Sequence, residues 1–114
     1  MYTPQISGAF APAGNTVTFL ANTAAPTAVQ VVSSVLSSYT QYRIFNSGSN
    51  LIFIGSGSNT TIANTNATVV STSNTGLPVL PGTVEIFSFP SNSYFTGITS
   101  SGTSVVYVTP GQGI

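Results

Sequence analysis

An all-β, antiparallel two-sheet sandwich of jelly-roll type is the fold this sequence predicts, and three observations predict it. Val, Ile, Thr, Phe and Tyr are abundant, while the strong helix formers other than Ala are scarce. Gly, Asn, Ser and Pro punctuate these residues roughly every eight positions, the rhythm of short strands joined by turns. Hydrophobic residues make up 41% of the 114, which excludes disorder and suffices for one self-standing core.

The strands are expected in the following order. Residues 6–10 form a weak one, and 16–20 (TVTFL) and 27–32 (TAVQVV) two firmer ones. Residues 42–46 (YRIFN) and 50–55 (NLIFIG) flank Ser47-Gly48-Ser49, which reads as a hairpin turn with glycine at its centre. Residues 56–76 are a Ser/Thr/Asn-rich stretch, expected as an exposed loop with one strand at 68–71. Pro78 and Pro81 keep the approach to the last third extended. Residues 83–89, 93–99 and 103–109 then read as three strands joined by three-residue turns, hence an antiparallel meander. With no fixed-period repeat to suggest a solenoid, roughly seven to nine strands fit a jelly roll. Residues 1–15 are expected as an extended N-terminal arm and 16–114 as a single β-sandwich domain.

Alternation adds a second prediction. Tyr42 and Ile44 share one face of their strand, Arg43 and Phe45 the other; Val84 and Ile86 oppose Glu85, Phe87 and Phe89. Neither strand has a clean polar side. One face therefore packs the domain core, and the other is expected to be covered by a loop, a neighbouring subunit or a partner.

Charge narrows the function. Arg43 and Glu85 are the only charged side chains, and His and Cys are absent. Acid–base catalysis, a carboxylate pair and a serine nucleophile with its base all lack their residues. Thiolate and imidazole metal sites lack ligands too, and Asn and Gln carbonyls with one Glu offer at most a weak Ca²⁺ site. A non-enzyme without cofactor is expected. One arginine cannot neutralise a phosphate backbone, so nucleic acid is not an expected partner. No apolar run approaches the ~20 residues of a membrane helix, and residues 1–15 lack the pattern of a secretory signal; a soluble protein made in a cytoplasm is expected. Gly55-Ser56-Gly57 and Gly111-Gln112-Gly113 read as turn glycines, not phosphate loops. Asn59-Thr60-Thr61 and Asn66-Ala67-Thr68 match the glycosylation pattern by the chance expected of such a composition.

An uncharged surface also lacks the repulsion that keeps soluble copies apart, which points to an assembly. Arg43 and Glu85 are the remaining constellation. Three arrangements are open: a structural ion pair within the chain, a pair across a subunit or partner interface, or two solvated charges on edge strands. Phe45, Phe53, Phe87, Phe89, Phe95 and Tyr107 read as core, with Tyr39 or Tyr94 exposed and able to stack on sugars or fill a partner's pocket.

The segments YRIFNSGSNLIFIG and LPVLPGTVEIFSFPSNSYFTGITSSGTSVVYVTPGQGI resemble small virion structural proteins of tailed bacteriophages, in particular head decoration (cement) proteins. The resemblance covers residues 42–55 and 77–113: a Tyr-Arg-aliphatic-aromatic-Asn strand, a Pro-Gly-Thr-x-Glu strand and a closing Tyr-x-Thr-Pro-Gly. It implies a homo-oligomer (trimer first, dimer next) on the outside of the phage head, bridging copies of the major capsid protein. The alternative in a different class is a receptor- or glycan-binding β-sandwich module of a tail fibre or spike. Ice binding is disfavoured, because only Thr16-Val17-Thr18 shows the Thr-x-Thr motif.

Overall fold

The computed structural model describes residues 9–113. The expected strand at residues 6–10 and the first half of the expected arm fall largely outside this range. Within it the chain forms β1 (Ala11–Pro12), β2 (Val17–Ala21), β3 (Val29–Gln30), β4 (Tyr39–Asn46), β5 (Ile52–Gly57), α1 (Thr60–Asn66), β6 (Leu77–Val79), β7 (Val84–Pro90), β8 (Tyr94–Thr99) and β9 (Ser104–Gln112). One sheet has the order β2-β9-β4-β7, with β1 continuing the β2 edge of β9; the other has the order β3-β8-β5-β6. All strand pairs are antiparallel. The pairs β2–β9, β3–β8, β4–β7 and β5–β6 nest inside one another, as in one long hairpin rolled up. That nesting is the jelly roll.

The core lies between the sheets. Phe19, Tyr42, Ile44, Val106 and Val108 come from the first sheet; Ile52, Ile54, Val79 and Phe95 come from the second. Phe87 and Phe89 close it from the β7 edge, and Phe89 meets Phe95 edge-on at 5.5 Å between ring centres. Polar groups inside are satisfied. Asn46 is fully buried, and its Nδ2 donates to the carbonyls of Asn50 (2.8 Å) and Val79 (3.0 Å), tying the end of β4 to the opposite sheet.

The meander is corrected. Its three segments are strands, but β7 and β9 belong to one sheet and β8 to the other, so each short connection crosses between sheets. The expected hairpin of residues 42–55 is corrected in the same way, since β4 and β5 lie in different sheets. Three extended residues span ~10 Å, which is also about the separation of packed sheets, so connector length alone does not distinguish the two geometries. Side chains fix the crossings. Asn92 adopts φ 60° while its Oδ1 accepts from the Ser33 amide (2.9 Å). Gly102 has φ 74°, next to Thr103, whose carbonyl accepts from Asn50 Nδ2 (2.8 Å).

Residues 56–76 are corrected as well: they hold α1, and 68–71 form no strand. The helix runs against propensity, since TTIANTN is rich in residues that compete with the helical backbone. Asn59 caps it, its Oδ1 accepting from the Ile62 amide at 2.9 Å. Asn64 fixes it in place, accepting from the Ala28 amide (3.0 Å) and donating to the Pro26 carbonyl (2.8 Å). Asn66 Nδ2 donates to the Ser56 carbonyl (2.9 Å). Underneath, Gly55 and Gly57 present no side chain on the outward face of β5, and a Cβ at Gly55 would overlap the Ala63 carbonyl and Ala67 amide. The helix therefore covers the outer face of the second sheet over β5 and β8.

The described part of the N-terminal segment pairs with the end of β9. Ala11 and Pro12 pair with Gln112 and Gly111, and the Ala13 amide donates to the Pro110 carbonyl at 2.8 Å. Residues 11–13 thus lie along the C-terminal end of β9.

Candidate interaction surface

Among the described residues, no helix covers the outer face of the first sheet. Register places its side chains in rows that run across the strands. Val84, Phe45, Tyr107 and Thr18 form one row across β7, β4, β9 and β2. Ile86, Arg43 and Thr109 form the next, and Val105 pairs with Leu20 beyond Tyr107. Leu20 is 48% exposed, Tyr107 40%, Val84 38% and Val105 38%. Phe45 lies against Tyr107 with ring centres 6.2 Å apart and planes at 22°. Four strands about 4.8 Å apart, each contributing about five residues, give a plan area of roughly 300 Å².

The strand pattern explains why this face exists. Along β9 buried and exposed residues alternate strictly from Ser104 to Val108; the outward positions Val105 and Tyr107 are apolar where a solvated sheet would carry polar residues, while Thr18, Thr109, Gln41 and Ser88 keep other parts of the same face polar. Only Arg43 supplies charge to the face. Two aromatics expected in the core, Phe45 and Tyr107, therefore belong to the surface. Phe53 and Phe95 are buried, and Phe87 and Phe89 pack against the core. Tyr39 is exposed on the outward side of β4, and Tyr94 is half-buried.

Arg43 and Glu85 are not brought together. Arg43 stands opposite Ile86, and Glu85 opposite Ile44. Cross-strand partners share a face and successive residues alternate, so the two charges leave opposite sides of the sheet. Arg43 joins the apolar outer face. Glu85 shares the core side with Ile44 but sits on the edge strand, where it is exposed. The intramolecular arrangement is thereby replaced by two separated, exposed charges.

A shallow groove of about 360 Å³ runs between β2 and the segment after β3, lined by Gly14, Asn15, Val17, Gln30, Val32, Ser33 and Ser34. Its lining holds no ionisable side chain. Among the described residues no group of three or more His, Cys, Asp or Glu comes together, and no buried side-chain nitrogen or oxygen lacks a hydrogen-bond partner. The arrangement offers area and shape. No protein-family model matches the chain, and searches of curated proteins and of solved structures returned no match.

Proposed function

We propose that the chain is a non-enzymatic virion structural protein, a decoration (cement) protein that oligomerises and binds the outside of a phage head to stabilise the shell. The observation that carries this reading is the group of exposed apolar side chains on the outer face of the first sheet, Val84, Tyr107, Val105 and Leu20, which no helix covers among the described residues, whereas α1 covers β5 and β8 of the second sheet. A lone solvated domain gains nothing from such a face, whereas a component present in many copies on a lattice is stabilised by each contact through mass action. The near-absence of charge supports the same reading, since a protein held on a particle does not depend on self-repulsion for solubility. On this reading the protein is located in the virion after synthesis in the host cytoplasm.

The stacked Phe45–Tyr107 pair favours one second reading, a glycan-binding module of a tail fibre or spike, because flat exposed rings stack on sugars. One experiment separates the two. Purified chain is added to heads assembled from the capsid protein of the genome that encodes it, and the heads are sedimented and heated. Decoration is expected to saturate at a fixed copy number per lattice unit and to raise the temperature at which the heads rupture. Absence of the chain from the sedimented heads overturns the proposal, and retention on immobilised glycans in its place supports the second reading.

A further inference from the structure

We infer that the occupant of the outer face of the β2-β9-β4-β7 sheet is a second copy of this chain, docked head to tail so that Arg43 of one copy pairs with Glu85 of the next. The inference rests on the reading that this face is covered in the assembled protein. Three observations carry it.

First, Arg43 is exposed, without an ion-pair partner among the described residues, at the margin of the apolar rows, between Ile86 and Thr109 on the neighbouring strands and beside the polar row of Ser88 and Gln41. An apolar surface laid over this guanidinium would strip its water without replacing it, so the covering surface must bring an anion. Second, Glu85 is the only acidic side chain in the sequence, and it too is exposed and without an ion-pair partner among the described residues. The chain thus carries one socket and one complementary charge. Third, the two charges leave opposite sides of one sheet.

The third point selects the symmetry. A two-fold axis that lays the outer face on itself brings Arg43 toward Arg43, with no acid between them. A head-to-tail contact, in which Arg43 of each copy meets Glu85 of the next, sets every charge against its opposite, and such a heterologous contact closes as a ring or continues as a filament.

Charge reversal tests this without any shell, so its outcome is independent of whether the protein decorates heads. Sedimentation velocity is run on the full chain, on Arg43→Glu, on Glu85→Arg, on the double reversal, and on an equimolar mixture of the two single variants. Both replaced residues are exposed, and circular dichroism checks that each variant is folded. Each single reversal is expected to weaken association by roughly thirtyfold or more, as for a broken interfacial charge pair. The double reversal is expected to recover it, and the mixture to recover it where the two variants can alternate, in a filament or an even-membered ring. Because the chain has no cysteine, Arg43→Cys and Glu85→Cys give a second reading: oxidation should cross-link the two variants to each other and neither to itself. A wild-type monomer, a single reversal that associates like wild type, a double reversal that stays dissociated, or self-linking of Arg43→Cys each overturns the inference.

Discussion

Replacing Tyr42 by alanine is expected to lower the unfolding free energy by about 3–5 kcal/mol, the usual cost of deleting a buried aromatic ring. Against a total stability of about 5–15 kcal/mol, that change brings the domain close to unfolding at room temperature. Tyr42 is fully buried, and its ring meets Phe95 of the opposite sheet edge-on at 4.7 Å. Its hydroxyl donates to the Pro90 carbonyl (2.9 Å) and accepts from the Ser93 amide (3.2 Å). One side chain therefore joins the two sheets and fixes the crossing from β7 to β8. Tyr42→Phe keeps the ring and leaves the Ser93 amide without its acceptor, at a cost of about 1–3 kcal/mol. Urea melts followed by far-ultraviolet circular dichroism measure both. A phenylalanine variant as stable as wild type would show that the hydroxyl bonds add nothing to the crossing.

The second large effect is expected at Gly55. A methyl group there runs into the backbone of α1 at Ala63 and Ala67, and backbone yields less readily than a flexible side chain. Gly55→Ala is expected to cost about 2–3 kcal/mol by overpacking, and Gly55→Val more. The loss should be local before it is global: the helix lifts and exposes the outer face of β5 while the two-sheet core persists. Hydrogen exchange checks this at the Ala63 and Ala67 amides, which donate to the carbonyls of Asn59 and Ala63. They should lose protection in Gly55→Ala while amides in β4 and β9 keep theirs. Unchanged protection at Ala63 and Ala67 would contradict the close packing of α1 on β5.

These two residues also mark what the sequence made legible. Strand positions followed from alternation and punctuation, and the two-faced character of β4 and β7 was readable from Tyr42 to Phe45 and from Val84 to Phe89. Which strands share a sheet was not readable, because a three-residue connector such as Ser91-Asn92-Ser93 suits a hairpin and a crossing equally well. The relation of Arg43 to Glu85 depends on register, where a shift of one residue moves every side chain to the other face. The helix was hidden by its composition. One signal for it was present: Gly55 and Gly57, two residues apart and hence on one face of a strand, mark a place where another backbone approaches closely. The outward placement of Phe45 and Tyr107 was missed because an aromatic at a strand position is ordinarily core, and only the pairing of β4 with β9 turns both outward.

On the proposed function, the outer face of the first sheet is an interface in the assembled protein. Its most direct test is the sedimentation of a Val105→Lys, Tyr107→Lys variant, alone and with assembled heads. Both positions are outward-facing and partly exposed, so the variant is expected to fold, losing only about 0.5–1.5 kcal/mol with the Phe45–Tyr107 stack. Two lysines in an apolar contact cannot be desolvated without partners. The account predicts a folded monomer that remains in the supernatant when the heads are pelleted. A variant that still forms the wild-type oligomer and still decorates heads would contradict it.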